Sequence, residues 1–236
     1  MSNLMFIRQV YCAYLRRLLY LFNMGNSGNV IGRFSSSLDR RDQGPNEVIA
    51  QAIVDDAGGD LLEEVVQVIH SKAATRTIND VVMTLMAVSR IHPKLLVQKA
   101  DVFIDLLESK SNRQVWGSMI ALANMAPLVK EKLKPHLVKI LQAMDEGTVV
   151  TRDHGFSILT ELYKEDQSGD LLALINEQLL NAPSNQVGQY TEKFMEVVRK
   201  EDVSTFVEAL EVRGQELTNE HHLKRLGKNL KNLRGL

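Results

Sequence analysis

Residues Asn112 to Ala126 read NRQVWGSMIALANMA, and the spacing of their apolar side chains decides the fold. Val115, Met119, Leu122 and Met125–Ala126 follow one another at three- or four-residue steps, which lays a single stripe along a helix. Asn112 stands where an N-cap belongs, with a side-chain oxygen able to accept from an orphan backbone N–H. Pro127 follows the last apolar turn and, lacking an N–H, is expected to end the helix. Upstream, Leu95 to Glu108 (LLVQKADVFIDLLE) is a second amphipathic run, closed by the polar turn Ser109–Lys110–Ser111. The unit is helix, tight turn, helix.

That unit recurs. Leu85, Leu122 and Leu159 are spaced 37 residues apart, and so are Val88, Met125 and Leu162. In the preceding helices Phe103 and Leu107 match Ile140 and Met144 at the same interval. A period shared by both helices is the mark of stacked pairs, each burying its apolar face against its neighbours. The pattern resembles the HEAT and armadillo-type families: an amphipathic first helix (Phe103, Leu106, Leu107), a polar turn, then Val115 and the pair Ala121–Leu122. The resemblance covers roughly Asn46 to Leu217, with a period shorter than the ~40–47 residues usual in those families. It implies an all-α fold, a right-handed α-α superhelix of about five helical pairs.

Composition agrees with helices packing on helices. Only 6% of the 236 residues are aromatic, and windows alternating β-branched with polar residues are missing. The single cysteine, Cys12, excludes an intrachain disulfide, so a cytoplasmic setting is expected. The net charge of −1 hides a strong asymmetry. Residues 1–44 carry six Arg against two Asp, and residues 220–236 carry five Lys or Arg against one Glu, leaving −9 between them. A solenoid that grips phosphates along its body would be basic there. Nucleic acid is therefore a disfavoured partner.

In chain order, residues 1–23 (MSNLMFIRQVYCAYLRRLLYLFN) are apolar and aromatic, broken by Arg8, Arg16 and Arg17. They fit neither a secretory signal nor a membrane span. The segment reads as an untranslated stretch ahead of a start at Met24, as an interfacial or partner-binding helix, or as a packed cap. Membrane contact is expected only through this segment. Residues 24–45, rich in Gly, Ser and Asn, read as a flexible linker. Gly25, Gly28 and Gly32 do not form a phosphate loop, because no Gly-Lys-Ser/Thr follows and no apolar strand precedes them. Residues 46–236 form the repeat domain, with Pro45 opening its first helix. Helices are expected near 46–56, 60–71, 75–91, 95–109, 112–126, 131–145, 150–164, 169–181, 186–200, 202–216 and 218–233. The last is a basic cap with a Leu223, Leu226 and Leu230 stripe, as a terminal repeat needs.

In such an architecture the second helix of each pair lines the concave face, and its opening turn is the natural contact surface. The repeat relates Arg76, Arg113 and Val150, then Asn79, Trp116 and Asp153, with His154 beside the last and Tyr190 in the next unit. Trp and Arg are enriched at binding hot spots, so Arg76, Asn79, Arg113, Trp116, Asp153, His154 and Tyr190 are the expected contacts for a protein or peptide. No catalytic or metal constellation stands out. Asp153 and His154 are adjacent and point about 100° apart on a helix, and His221–His222 lack the i, i+4 spacing of paired ligands. Nothing favours a cofactor. The acidic pairs Asp55–Asp56 and Glu63–Glu64 read as solvated faces. One enzyme family shares the architecture: the chain resembles the HEAT-like DNA alkylation-repair glycosylases, to which Trp116 and Asp153 would contribute the matching residue types. The acidic body and the few aromatics argue against that reading.

Overall fold

The computed structural model describes residues 29–166 and 168–235, and among them every regular element is helical. Residues 1–23, Gly25 and Gly28, with the expectations attached to them, lie outside the described residues. The chain divides into two compact units between Thr84 and Leu85.

The first unit holds a 3₁₀ turn (Val30–Arg33), α1 (Gly44–Asp55), α2 (Asp60–Ile69) and the opening part of α3 (Thr75–Ile91). Pro45 occupies the first turn of α1, where its missing N–H costs no intrahelical bond. The helix ends in a paired closure: Gly58 N–H donates to Ile53 O at 2.9 Å and Ala57 N–H to Val54 O at 3.1 Å. Ala57 and Gly58 both take positive φ, 50° and 84°, so the left-handed turn begins one residue before the glycine. Asp60 and Glu63 open α2, where their charge suits the helix dipole.

The expected flexible linker is corrected by this unit. Val30, Phe34 and Ser35 are buried, as are Ile49, Ile53, Val65 and Val81 of the same unit, while Ser37 to Asp42 stay exposed. The backbone of the stretch is also held. Glu64 Oε1 accepts from Val30 N–H at 2.7 Å, and Asn46 Oδ1 accepts from Ser35 N–H at 3.0 Å. Buried Asp80 accepts from Ser36 N–H at 2.7 Å through Oδ2 and from Asn46 Nδ2 at 2.9 Å through Oδ1. Glu64, read as part of a solvated face, is thus exposed yet tied to the incoming chain.

The second unit begins within α3 and continues through a 3₁₀ segment (Pro93–Lys99) into α4 (Ala100–Leu106) and α5 (Asn112–Leu133). There follow α6 (Leu137–Glu146), α7 (Val149–Tyr163), α8 (Asp170–Leu180), α9 (Ser184–Met195), α10 (Val203–Glu216) and α11 (Glu220–Leu233). Pairs adjacent in sequence pack together: α4 with α5, α6 with α7, α8 with α9 and α10 with α11. The later member of each pair also packs on the next later member, α5 on α7, α7 on α9 and α9 on α11, while α8 lies on α10. Leu122, Met125, Leu159, Leu162, Phe103, Leu107, Ile140 and Met144, matched at 37-residue spacing in the sequence, are all buried. Gly155 lets α7 approach α6: a Cβ there would lie 2.3 Å from Met144 Cγ.

Three local expectations change. Ser111, not Asn112, is the N-cap of α5. The run expected as one helix over 95–109 is a 3₁₀ segment followed by the short α4. Pro127 does not end α5. Backbone angles leave the helical region only at Val129 (φ −130°, ψ 23°), and the chain turns once more to Leu133. Proline removes one donor, and the burial of Val129 and Leu133 keeps this final turn on the core. No helix among the described residues is long and apolar enough to cross a membrane.

Candidate protein-interaction face

Polar bonds tie successive helices of the second unit together across 33 to 36 residues. Asn124 Nδ2 donates to Ser89 Oγ at 2.9 Å across 35 residues, and Gln186 Nε2 to Asp153 Oδ1 at 2.7 Å across 33. Lys193 Nζ donates to Ser157 Oγ at 2.6 Å across 36. On the last pair, Arg225 grips the Glu192 carboxylate with two nitrogens, at 2.8 and 2.6 Å, and Asn229 Nδ2 donates to Gly188 O at 3.2 Å. The bidentate geometry makes the Arg225 contact the strongest kind of ion pair.

The expected contact residues fall into three groups. Arg113 is exposed in the first turn of α5 and Trp116 is half-buried one turn on. Val150 is exposed in the first turn of α7, with Asp153 and His154 half-buried behind it. His154 Nδ1 lies 2.9 Å from Val150 O, while Asp153 bonds Gln186, so the carboxylate and imidazole serve different partners. Arg76 and Asn79 belong to the first unit, where Arg76 is exposed and donates to Ser36 O at 2.8 Å.

Tyr190 is corrected. Rather than facing a partner, it is buried, with its ring stacked on Phe156 at 4.2 Å between centroids and 9° between planes. Its hydroxyl donates to Gln186 Oε1 at 3.4 Å. Burial, reinforced by the nearby Asp153 charge, pushes the phenol far above its ordinary pKa, so it stays a neutral core group. Phe156 gives the ring a flat apolar platform, which outweighs exposure of one hydroxyl.

Gln186, Ser157 and Lys193 complete the arrangement and were not singled out by the sequence. Lys193 is partly desolvated, which lowers its pKa despite the opposing charges of Asp153 and Glu196. Asp153 and Gln186 are 33 residues apart and Ser157 and Lys193 are 36, so neither pair falls on the 37-residue apolar spacing. A comparison restricted to apolar positions passes over them. These polar groups bond one another across α7 and α9, with Gln186 buried and Asp153, Ser157 and Lys193 half-buried. Among the described residues, no group of three or more His, Cys, Asp or Glu side chains is gathered to hold a metal ion.

The ion pairs of this unit carry a pH dependence. Arg225 holds the Glu192 carboxyl below its ordinary value near 4.5. Burial opposes ionisation of Glu161 and Asp202, but Lys164 and Lys130 around the first, and Tyr163 and Arg199 around the second, lower both. A carboxylate whose pKa is depressed on folding stabilises the folded state above its unfolded pKa. That stability is lost as pH falls through the folded value. The urea midpoint is expected to drop as pH is lowered below about 4.5, and to drop less steeply in Glu192→Gln. Parallel curves for the two proteins over this range would remove Glu192 from the account.

Compared with protein-family models and with curated proteins, the sequence matches no family model and no curated protein.

Proposed function

We propose that the protein is a non-enzymatic binding scaffold, a HEAT-like α-solenoid of about five helical pairs that captures a protein or peptide on its later helices. The reading is supported by one observation above others. The only tryptophan of the chain remains half-buried at the start of α5, with exposed Arg113 in the same turn, although its neighbours Gln114, Val115 and Gly117 are buried. An indole left part-exposed on a helix held by neighbours on both sides is a typical anchor for a partner. The α5, α7 and α9 packing order and the cross-helix polar bonds support a surface that is rigid before binding, so docking orders few side chains. Arg113, Trp116, Asp153 and His154, all in the second unit, are the contacts proposed.

The test is affinity capture with the full chain as bait, set beside Trp116→Ala and an Arg113→Glu, Trp116→Ala double variant. The captured partner is then titrated against each. Trp116→Ala is expected to weaken binding by about 30-fold or more, the scale of a hot-spot residue. Helix content and thermal midpoint should stay close to wild type. A midpoint that falls by ~10 °C, as loss of a buried Trp would produce, would make Trp116 a packing residue and end this reading. Nucleic acid recovered with wild type alone would replace the protein partner by a polyanion.

A further inference from the structure

A cavity of about 310 Å³ opens between the α4–α5 turn, the start of α5 and α6, and neither Arg113 nor Trp116 lines it. Its walls include the buried side chains Leu107, Val115 and Ala143. Charged groups line it from two places: Glu108 in the α4–α5 turn, and Lys139 and Glu146 on α6. Volume at the lower end of the ligand-site range suits a single side chain or a small molecule, not a large cofactor.

The rim charges decide which side chain. Lys139 is already engaged on one side, 2.9 Å from Glu108 and 3.8 Å from Asp105. Across the opening, Glu146 receives only a neutral donor, Gln142 Nε2 at 2.9 Å. Among the described residues no cation pairs with Glu146, so the uncompensated charge at the mouth is negative. Asn112, exposed at the start of α5, adds amide acceptor capacity beside it. We propose that this cavity takes an arginine side chain of a partner peptide, its methylene stem against Leu107, Val115 and Ala143 and its guanidinium on the Glu146 carboxylate. Arginine suits the site better than lysine: its planar fork can meet a carboxylate and a neighbouring amide oxygen together, and it is less strongly hydrated.

The probe is N-acetyl-arginine amide, titrated into the isotope-labelled full chain and followed by amide chemical shifts. N-acetyl-citrulline amide, of the same shape without the charge, and N-acetyl-glutamate amide are the controls. Saturable shifts are expected at Asn112, Gln142, Glu146 and Gly147 with the arginine probe. The citrulline probe, and the arginine probe on Glu146→Gln, should bind about tenfold more weakly, the scale of one charge-assisted hydrogen bond. Glu146→Gln retains shape and helix, and its amide spectrum reports whether the fold is intact. Equal binding of citrulline and arginine, no saturable shift at these amides, or unchanged affinity in Glu146→Gln would each overturn the proposal. Preference for the glutamate probe would do so as well, by making Lys139 the recognising group.

Discussion

Replacing Phe194 with Ala is expected to lower stability by about 3–5 kcal/mol and the thermal midpoint by roughly 10 °C. Phe194 lies on α9 with no exposed surface, and two rings meet it edge-on: Tyr163 from the end of α7 and Phe206 from α10, each at 4.7 Å between centroids. The substitution removes a large apolar group, breaks both edge contacts and leaves a void that packed helices fill only in part. It also loosens a polar clasp. Tyr163 OH donates to Asp202 Oδ2 at 2.5 Å and accepts from Arg199 N–H at 3.1 Å, and the Arg199 guanidinium lies 4.5 Å from the Tyr163 ring centre. That clasp joins α7 to the segment leading into α10. Urea unfolding of wild type, Phe194→Ala and Phe194→Leu measures the effect. Leucine should recover more than half of the loss, since it restores most of the volume but neither ring contact. A cost below about 1 kcal/mol for alanine would mean that this cluster relaxes freely and does not hold the helix pairs together.

The helices were legible because burial writes itself into apolar spacing. Leu122, Met125, Leu159 and Leu162 must face inward, so their period survives however the polar positions vary. Polar positions carry no such constraint. Asp153, Ser157, Gln186 and Lys193 read as solvent-facing residues in sequence, and only the packing of α7 on α9 shows that they bond each other. Tyr190 was misassigned for a related reason. Its polar hydroxyl suits an outward contact, but Phe156, 34 positions earlier, stacks on its ring and takes it into the core. Composition misled in residues 29–45, within a stretch where glycine, serine and asparagine are frequent. Two apolar residues, Val30 and Phe34, suffice to anchor the stretch once carboxylates capture its backbone. The resemblance to HEAT and armadillo-type repeats therefore rests on the part of the sequence that packing controls. The proposed face lies on the part that it does not.

Asp80→Asn should be the sharpest test of how the first unit holds its incoming chain. Asp80 is almost fully buried, and its two carboxylate oxygens serve two donors, the half-buried Ser36 N–H and the buried Asn46 Nδ2. Asn46 in turn links Ser35 N–H to Gln43 Oε1, so one acid organises both sides of the stretch between the 3₁₀ turn and α1. Asparagine keeps the shape but offers one acceptor and one donor. In either orientation its amide nitrogen faces a donor, leaving one buried N–H without a partner. The expected cost is about 2–3 kcal/mol, the scale of losing a hydrogen bond to a charged group in a buried site. Amide hydrogen exchange should locate it, with Ser35, Ser36 and Ser37 losing protection while Leu122, Leu159 and Phe194 in the second unit keep theirs. Asp80→Ala should cost at least as much, because both donors are then abandoned. If Asp80→Asn leaves the exchange of Ser35 and Ser36 unchanged, apolar burial of Val30 and Phe34 alone anchors the segment. Loss of protection spread evenly over both units would instead mean that the two unfold as one cooperative body, with α3 transmitting the damage along its length.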